Sequence, residues 1–197
     1  MLHATLRFLP SLSLILLTVV ATHMTMSLAQ TVMHRYFGHR AWGGKFYRNH
    51  VDFHHAYYAR DHLASAIYLG DAGNNTPYFL IPVCMVGACA YFLLPLHLFV
   101  VAALACAASF YAHVLFDKEY HVEDSMLLRF AWFRHMRKLH FVHHRHANTN
   151  FAVVDFYWDR LLGTYRGPDV ERDAHRNLRP SAVTPRPPPT HRSAAAP

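Results

Sequence analysis

The sequence predicts an all-α protein embedded in a membrane, with its histidines gathered into a metal site, and three observations carry that reading. No Asp, Glu, Lys or Arg occurs from Phe8 to His34 or from Pro77 to Phe116, and apolar stretches of about 18 residues or more are candidate membrane spans. Eighteen of the 197 residues are histidine, and they cluster in the segments that flank those runs. The tightest cluster is His140, His143 and His144. At about 100° per residue, positions i, i+3 and i+4 lie within roughly 60° of one another, so these rings project from one helical face. A solvated polar face explains a histidine or two, but neutral imidazole is the commonest metal ligand and suits Zn, Cu, Fe and Ni.

The formal charge of +7 invites a nucleic-acid reading, and the distribution of basic residues removes it. Arg7 alone precedes the first apolar run, five (Arg35, Arg40, Lys45, Arg48, Arg60) lie between the runs, and thirteen follow Phe116. By the positive-inside rule both later segments and the C-terminus are cytoplasmic, where basic residues also meet anionic headgroups. No nucleic-acid-binding motif accompanies them. Cys84, Cys89 and Cys106 fall inside the second apolar run, where they act as small apolar residues and report no redox compartment.

The first span is expected from about Leu6 to Met33. A cleaved signal peptide competes, because Arg7, the run Leu12 to Ala21 and Ser27-Leu28-Ala29 imitate its three regions. Cleavage would export the histidine clusters, so an uncleaved anchor is expected. His34 and His39 follow at the membrane exit. On a regular helix they would point about 140° apart, so a shared site requires the helix to unwind or bulge, which Gly38 permits. Trp42 and Tyr47 suit an interfacial aromatic belt. In His50-Val-Asp-Phe-His54-His55, His50 and His54 share a face at i, i+4 while His55 stands about 100° further round, as suits a helix that feeds two metals. His62 reads as a surface residue. Gly70 to Pro77 is a turn cluster; its Asn74-Asn75-Thr76 sequon lies on the expected cytoplasmic side, directly before Pro77, and is discounted.

Pro77 to Leu94 and Leu96 to Phe116 are expected to form a membrane hairpin with Pro95 at the bend, each helix roughly 27 to 32 Å long. His97 is at the far turn. His113, ionisable and within a span, is a functional candidate, with a hydrogen-bonded helix-end histidine as the alternative. His121 is a candidate ligand with Glu119 and Glu123 as nearby carboxylates. Met126 to His140 is amphipathic and suits the membrane surface, and His135 and His146 face away from the His140 triplet. Residues 1–166 are expected as the membrane domain and 167–197 as a disordered cytoplasmic tail, since Pro180 to Pro197 has too little apolar side chain to fold.

Taken together, His34-X4-His39, His50-X3-His54-His55, His140-X2-His143-His144 and the closing Asn150-Phe151 then Trp158-Asp159-Arg160-Leu-Leu-Gly163-Thr164 resemble the fatty acid hydroxylase superfamily, also called the sterol desaturase family. The resemblance covers roughly His34 to Tyr165. It implies a multi-pass transmembrane helical domain whose cytoplasmic helical cap holds a histidine-rich di-iron centre, acting with O2 on a lipid, acyl or sterol C–H bond to hydroxylate or desaturate it. An unactivated C–H bond lies beyond side-chain acid/base chemistry, so the hard step falls to metal and O2. The implied ligands are His34, His39, His50, His54, His55, His121, His140, His143 and His144, two iron ions being held and zinc a possible substitute. Glu119, Asn150 and Asp159 are expected to support them, and no catalytic residue beyond the metal site is implied.

Family members commonly carry a further His-X3-His after the hairpin; His121 takes the first place and Ser125 stands in the second, leaving His113 or Glu123 as substitutes. No cytochrome b5 domain is seen in the chain, so electrons are expected from a separate donor of cytochrome b5 or ferredoxin/reductase type. The implied location is a bacterial inner membrane or the endoplasmic reticulum. Membrane acyl desaturases use similar boxes spaced across a longer chain. A metal transporter would place its histidines within the spans, whereas most here lie outside them. A relative that binds metal without turnover would show changes such as Ser125.

Overall fold

A computed structural model describes residues 11–70 and 75–168. The expected first turn of the first span, Asn74 of the sequon and the tail beyond residue 168 lie outside the described residues. Within them the chain is helical, with no strand beyond an isolated bridge between Ser65 and Val122.

Helix α1 (Leu12–Met33) starts where Ser11 leaves extended backbone and its hydroxyl accepts from the Leu14 amide at 3.3 Å, which satisfies one of the unpaired donors of the first turn. It runs on into a π-helical turn over His34–Gly38, so that one rod spans 27 residues. Helix α2 (Leu80–Leu93) is entered through a 3₁₀ turn, Thr76–Phe79, and α3 (Leu96–Tyr120) returns antiparallel to it. Leu94 is extended at φ −110°, ψ 146°, as the ring of the following proline demands, so the helix breaks there. α3 continues a full turn beyond the expected end at Phe116, which makes Asp117 helical and leaves His121 as the C-terminal cap.

These lengths position the site. The α1 rod and α3, of 27 and 25 residues, reach about 38 to 40 Å, against a hydrocarbon core of about 30 Å. The end of the α1 rod carries His34, and α3 ends at His121. Lipid is as apolar as leucine, so hydrophobicity does not sort the faces of these helices. Leu12, Leu16, Leu17, Phe92, Leu93 and Leu104 point outward, while Thr18, Thr22, Ser27 and Gln30 of α1 and Ala102, Ala105, Cys106 and Ser109 of α3 are buried. Small and polar side chains let two backbones approach closely.

His23, in the middle of α1, joins this seam to the segment that follows α4 in sequence, at Asp155. Its Nδ1 lies 2.8 Å from Ser109 Oγ on α3, and its Nε2 lies 3.0 Å from Asp155 Oδ2. Ionisable groups at membrane depth are costly unless paired. His23→Leu is therefore expected to destabilise the protein by about 1 to 3 kcal/mol by taking both partners away, seen as a lower thermal midpoint in detergent with bound metal unchanged.

Beyond the spans, α4 (Ala131–Arg145) turns Phe133, Leu139, Val142, His140, His143 and His144 inward, and the short α5 (Tyr157–Leu161) closes the cap. Two clusters hold it: Tyr120 with Phe133 and Val153, and Leu139 with Ala152 and Phe156. The Arg137 guanidinium donates to the carbonyls of Tyr120 at 2.8 Å and Val122 at 3.2 Å, pinning α4 against the end of α3. Met126, Phe130, Trp132, Tyr157 and Leu161 remain exposed, the pattern of a surface that beds into a lipid interface.

Candidate metal centre

Two stretches of π-helix decide which histidines meet. The first is His34–Gly38 and the second Arg48–His55. In a π-helix the hydrogen bond runs from i to i+5, so residues five apart come onto one face. His34 and His39 thereby converge, and so do His50 and His55. This corrects the i, i+4 pairing expected of His50 with His54: their rings stack 5.1 Å apart but serve different groups. Gly38 matters here for space, because a Cβ on it would sit 3.2 Å from the His34 ring and 3.5 Å from the His50 ring.

The nine clustered histidines form two groups whose inward nitrogens all lie within 4.8 Å of one another, His34, His39, His50, His55 and His143 in one, His54, His121, His140 and His144 in the other. The His140 triplet therefore shares a face, as its spacing requires, but does not make one site: His143 joins the first group and its neighbours the second. The groups adjoin, with the His55 and His144 rings stacked 4.2 Å apart across the boundary. Seven of the nine rings are buried, and His39 and His55 are half-buried.

Backbone carbonyls set the tautomers. Nδ1–H donates to Phe151 O from His34 at 2.5 Å, to Leu63 O from His121 at 2.7 Å, to Thr149 O from His143 at 2.7 Å and to Tyr58 O from His144 at 2.9 Å. A carbonyl only accepts, so each ring carries its proton on Nδ1 and aims the Nε2 lone pair inward. The Asn75 side-chain amide lies 3.3 Å from His50 Nδ1. Inward nitrogens then crowd one another at 2.7 Å (His34 and His50), 3.0 Å (His39 and His50), 3.1 Å (His39 and His143, His55 and His143) and, in the second group, 3.0 Å (His121 and His140) and 3.2 Å (His140 and His144). Lone pairs so close repel unless a cation sits among them. Ligands about 2.1 Å from a common ion and 90 to 110° apart would be separated by about 3.0 to 3.4 Å, so the residues fit a metal ion in each group.

Protonation is not the alternative. Burial holds His54 at a pKa of about 3 and holds His39, His50, His55, His121, His140, His143 and His144 below the usual imidazole range, the neighbouring rings adding to the effect in all but His54. The rings are neutral at pH 7, the form that binds metal.

The closing segment supports the centre through the backbone. Asn150 adopts φ 51°, the left-handed region that Asn tolerates. Its side chain donates to Leu139 O at 3.0 Å and Arg166 O at 2.8 Å and accepts from the Arg166 amide at 2.8 Å. The Asp159 carboxylate accepts from the amides of Phe151 at 2.7 Å and Ala152 at 2.9 Å and from Thr164 Oγ1 at 2.7 Å. Those bonds fix the turn whose carbonyls, Thr149 and Phe151, hold His143 and His34. Asp159→Asn turns one acceptor oxygen into a donor facing an amide. It is expected to cost about 10 to 100-fold in metal affinity, the usual size of effect for groups that orient a ligand. The exposed His135, substituted by alanine, is the control that should leave zinc titration unchanged.

Other expectations are placed elsewhere. His113 belongs to neither group; it is buried with its ring 4.1 Å from that of Phe79. Glu119 does not support His121: its carboxylate accepts from Ser125 Oγ at 2.5 Å, and the same hydroxyl accepts from the Leu127 amide, so the pair holds the turn into the 3₁₀ segment Met126–Arg129. Glu123 is exposed. Two residues went unread in the sequence. Tyr58, buried beneath the second group, stacks on His121 at 3.8 Å while its carbonyl holds His144. Asp117 points its Oδ1 at that group, 3.6 Å from His140 Nε2 and 3.9 Å from His54 Nε2. It stands four residues before His121, a spacing that was visible in the sequence.

Three helices long and apolar enough to cross a membrane, with two adjoining histidine groups able to hold metal at one end, define a class of helical membrane protein with a candidate metal centre. The sequence model described as fatty acid hydroxylase matches residues 14–164, and the chain belongs to that family. The matched range takes in all nine clustered histidines, Asp117 and the closing segment from Asn150 to Thr164. No curated protein and no solved structure matches the chain.

Proposed function

We propose that the protein is a di-iron membrane oxidoreductase that uses O2 to hydroxylate or desaturate a lipid or sterol C–H bond, with electrons from a separate donor. The observation that carries this reading is the convergence of nine inward imidazole nitrogens in two adjoining buried groups just beyond the ends of membrane-length helices. Five of the nine would hold one iron and four the other, and the pair would supply O2 activation when bound. The chain's own part is positioning. The carbonyls of Phe151, Leu63, Thr149 and Tyr58 lock four rings in one tautomer, burial keeps bulk water from the centre, and the placement lets a hydrocarbon chain arrive from the bilayer. An amphipathic substrate anchored by its polar end would have its reach set by its own length.

The histidine-bearing end is assigned to the cytoplasm from the excess of Lys and Arg in the segments after the first span. Cysteines introduced at Asn74 and Ser181 should both be labelled from the cytoplasmic side; labelling from opposite sides would overturn that topology. The reaction is tested by lipid profiling of a host expressing the wild type or His144→Ala, under O2 with a competent reductase. Products heavier by one oxygen or lighter by two hydrogens are expected with the wild type alone. Identical lipids in both strains would favour a metal-binding relative without turnover.

A further inference from the structure

The second histidine group is one donor short of the first, four against five, and its free side is faced by a carboxylate. Asp117 lies on the last turn of α3, four residues before the capping His121, so the two side chains leave one face of the same helix end. Its Oδ1 is 3.6 Å from His140 Nε2 and 3.9 Å from His54 Nε2. Both separations exceed hydrogen-bond reach, so neither ring holds the carboxylate by a hydrogen bond. These separations are wider than the roughly 3.0 to 3.4 Å of ligands 90 to 110° apart, and on an ion about 2.1 Å away they correspond to donors about 120 to 135° apart. His54 Nε2 is itself buried without a hydrogen-bond partner, so no other group satisfies it on the side where the Asp117 carboxylate lies.

We infer that Asp117 is the fifth ligand of the second metal, its oxygen joining the nitrogens of His54, His121, His140 and His144. The inference rests on the two-metal reading above. It makes the centre asymmetric: one ion is held by five neutral imidazoles, the other by four and one anionic oxygen. A carboxylate is a harder donor than imidazole and brings a charge that partly neutralises the cation.

The test is zinc titration of metal-free, full-length protein in detergent micelles, with metal content read after desalting. The wild type should bind about two zinc ions per chain. Asp117→Ala should keep the five-histidine ion and bind the second at least about tenfold more weakly, while Asp117→His, which returns a donor to the same place, should bind two. Wild-type affinity for both ions in Asp117→Ala would overturn the ligand role alone; fewer than two ions in the wild type would overturn the two-metal reading and the inference with it. Cadmium-113 NMR of the cadmium-loaded protein decides the matter even where the alanine variant does not fold. Two resonances are expected from the wild type, and Asp117→His should shift one of them as oxygen is exchanged for nitrogen. Both resonances unmoved would overturn the inference.

Discussion

His144→Ala and His143→Ala are each expected to abolish product formation, and they should do so with different metal contents. His144 is one of four histidines in its group, so its loss leaves the second ion with three imidazoles and the inferred Asp117 oxygen, a weaker set for a metal that favours imidazole than the four rings left in His143→Ala, and bound metal should fall below two ions per chain. His143 is one of five. Its removal leaves four donors, enough for a tetrahedral site, so metal should stay nearer two while the loss of a ring held by Thr149 O opens the coordination sphere. Metal analysis of purified variants alongside the lipid assay separates the two effects. Wild-type product levels from His144→Ala would remove the centre from the reaction.

Acid is expected to strip the metal and then loosen the fold. The buried histidines have pKa values depressed below the ordinary 6.5, His54 to about 3, with burial as the leading cause. Between those values the unfolded chain binds protons that the native chain does not, so native stability is complete above pH 6.5 and falls as pH drops. For His54 alone the loss continues from pH 6.5 down to about 3. Bound metal acts in the same direction, since each ligand must be unprotonated to coordinate. The metal-free protein should show a flat thermal midpoint above pH 7 and a steep decline below 6. Zinc-loaded protein should release zinc over the same range. A midpoint that rises on acidification would contradict the burial of these rings.

Asymmetry at Asp117 bears on both results. If the second ion is held partly by a carboxylate, its release should require a protonated oxygen as well as protonated imidazoles, and the two ions need not leave together.

Membrane-length helices and the set of clustered histidines were legible in the sequence because both are local. A span is a run without charge, and the proline after Leu94 breaks the hairpin wherever the rest of the chain goes. Which ring would join which group was not legible. Regular helical geometry assigns His50 to His54 and keeps His140, His143 and His144 together; the π-helical turns and the packing of α4 between the two groups redistribute them. A change from i, i+4 to i, i+5 bonding alters no residue identity, so composition and spacing read as α-helix give the wrong partners.

By itself, then, the sequence determined the number and approximate limits of the described spans, the identity of the nine histidines and the motif by which the family is known. The tertiary structure alone decided how those histidines divide, what orients them and where the missing donor is found. Their orientation comes from the carbonyls of Leu63, Tyr58 and Phe151, which lie 58, 86 and 117 residues from the rings they hold. Every residue carries a carbonyl, so no side-chain pattern marks these three. Asp117 was passed over for Glu119 for a related reason. Both are acidic and near His121, but α3 persists to Tyr120, and two residues along a helix are about 200° around its axis. One carboxylate therefore faces the histidines, and the other reaches Ser125.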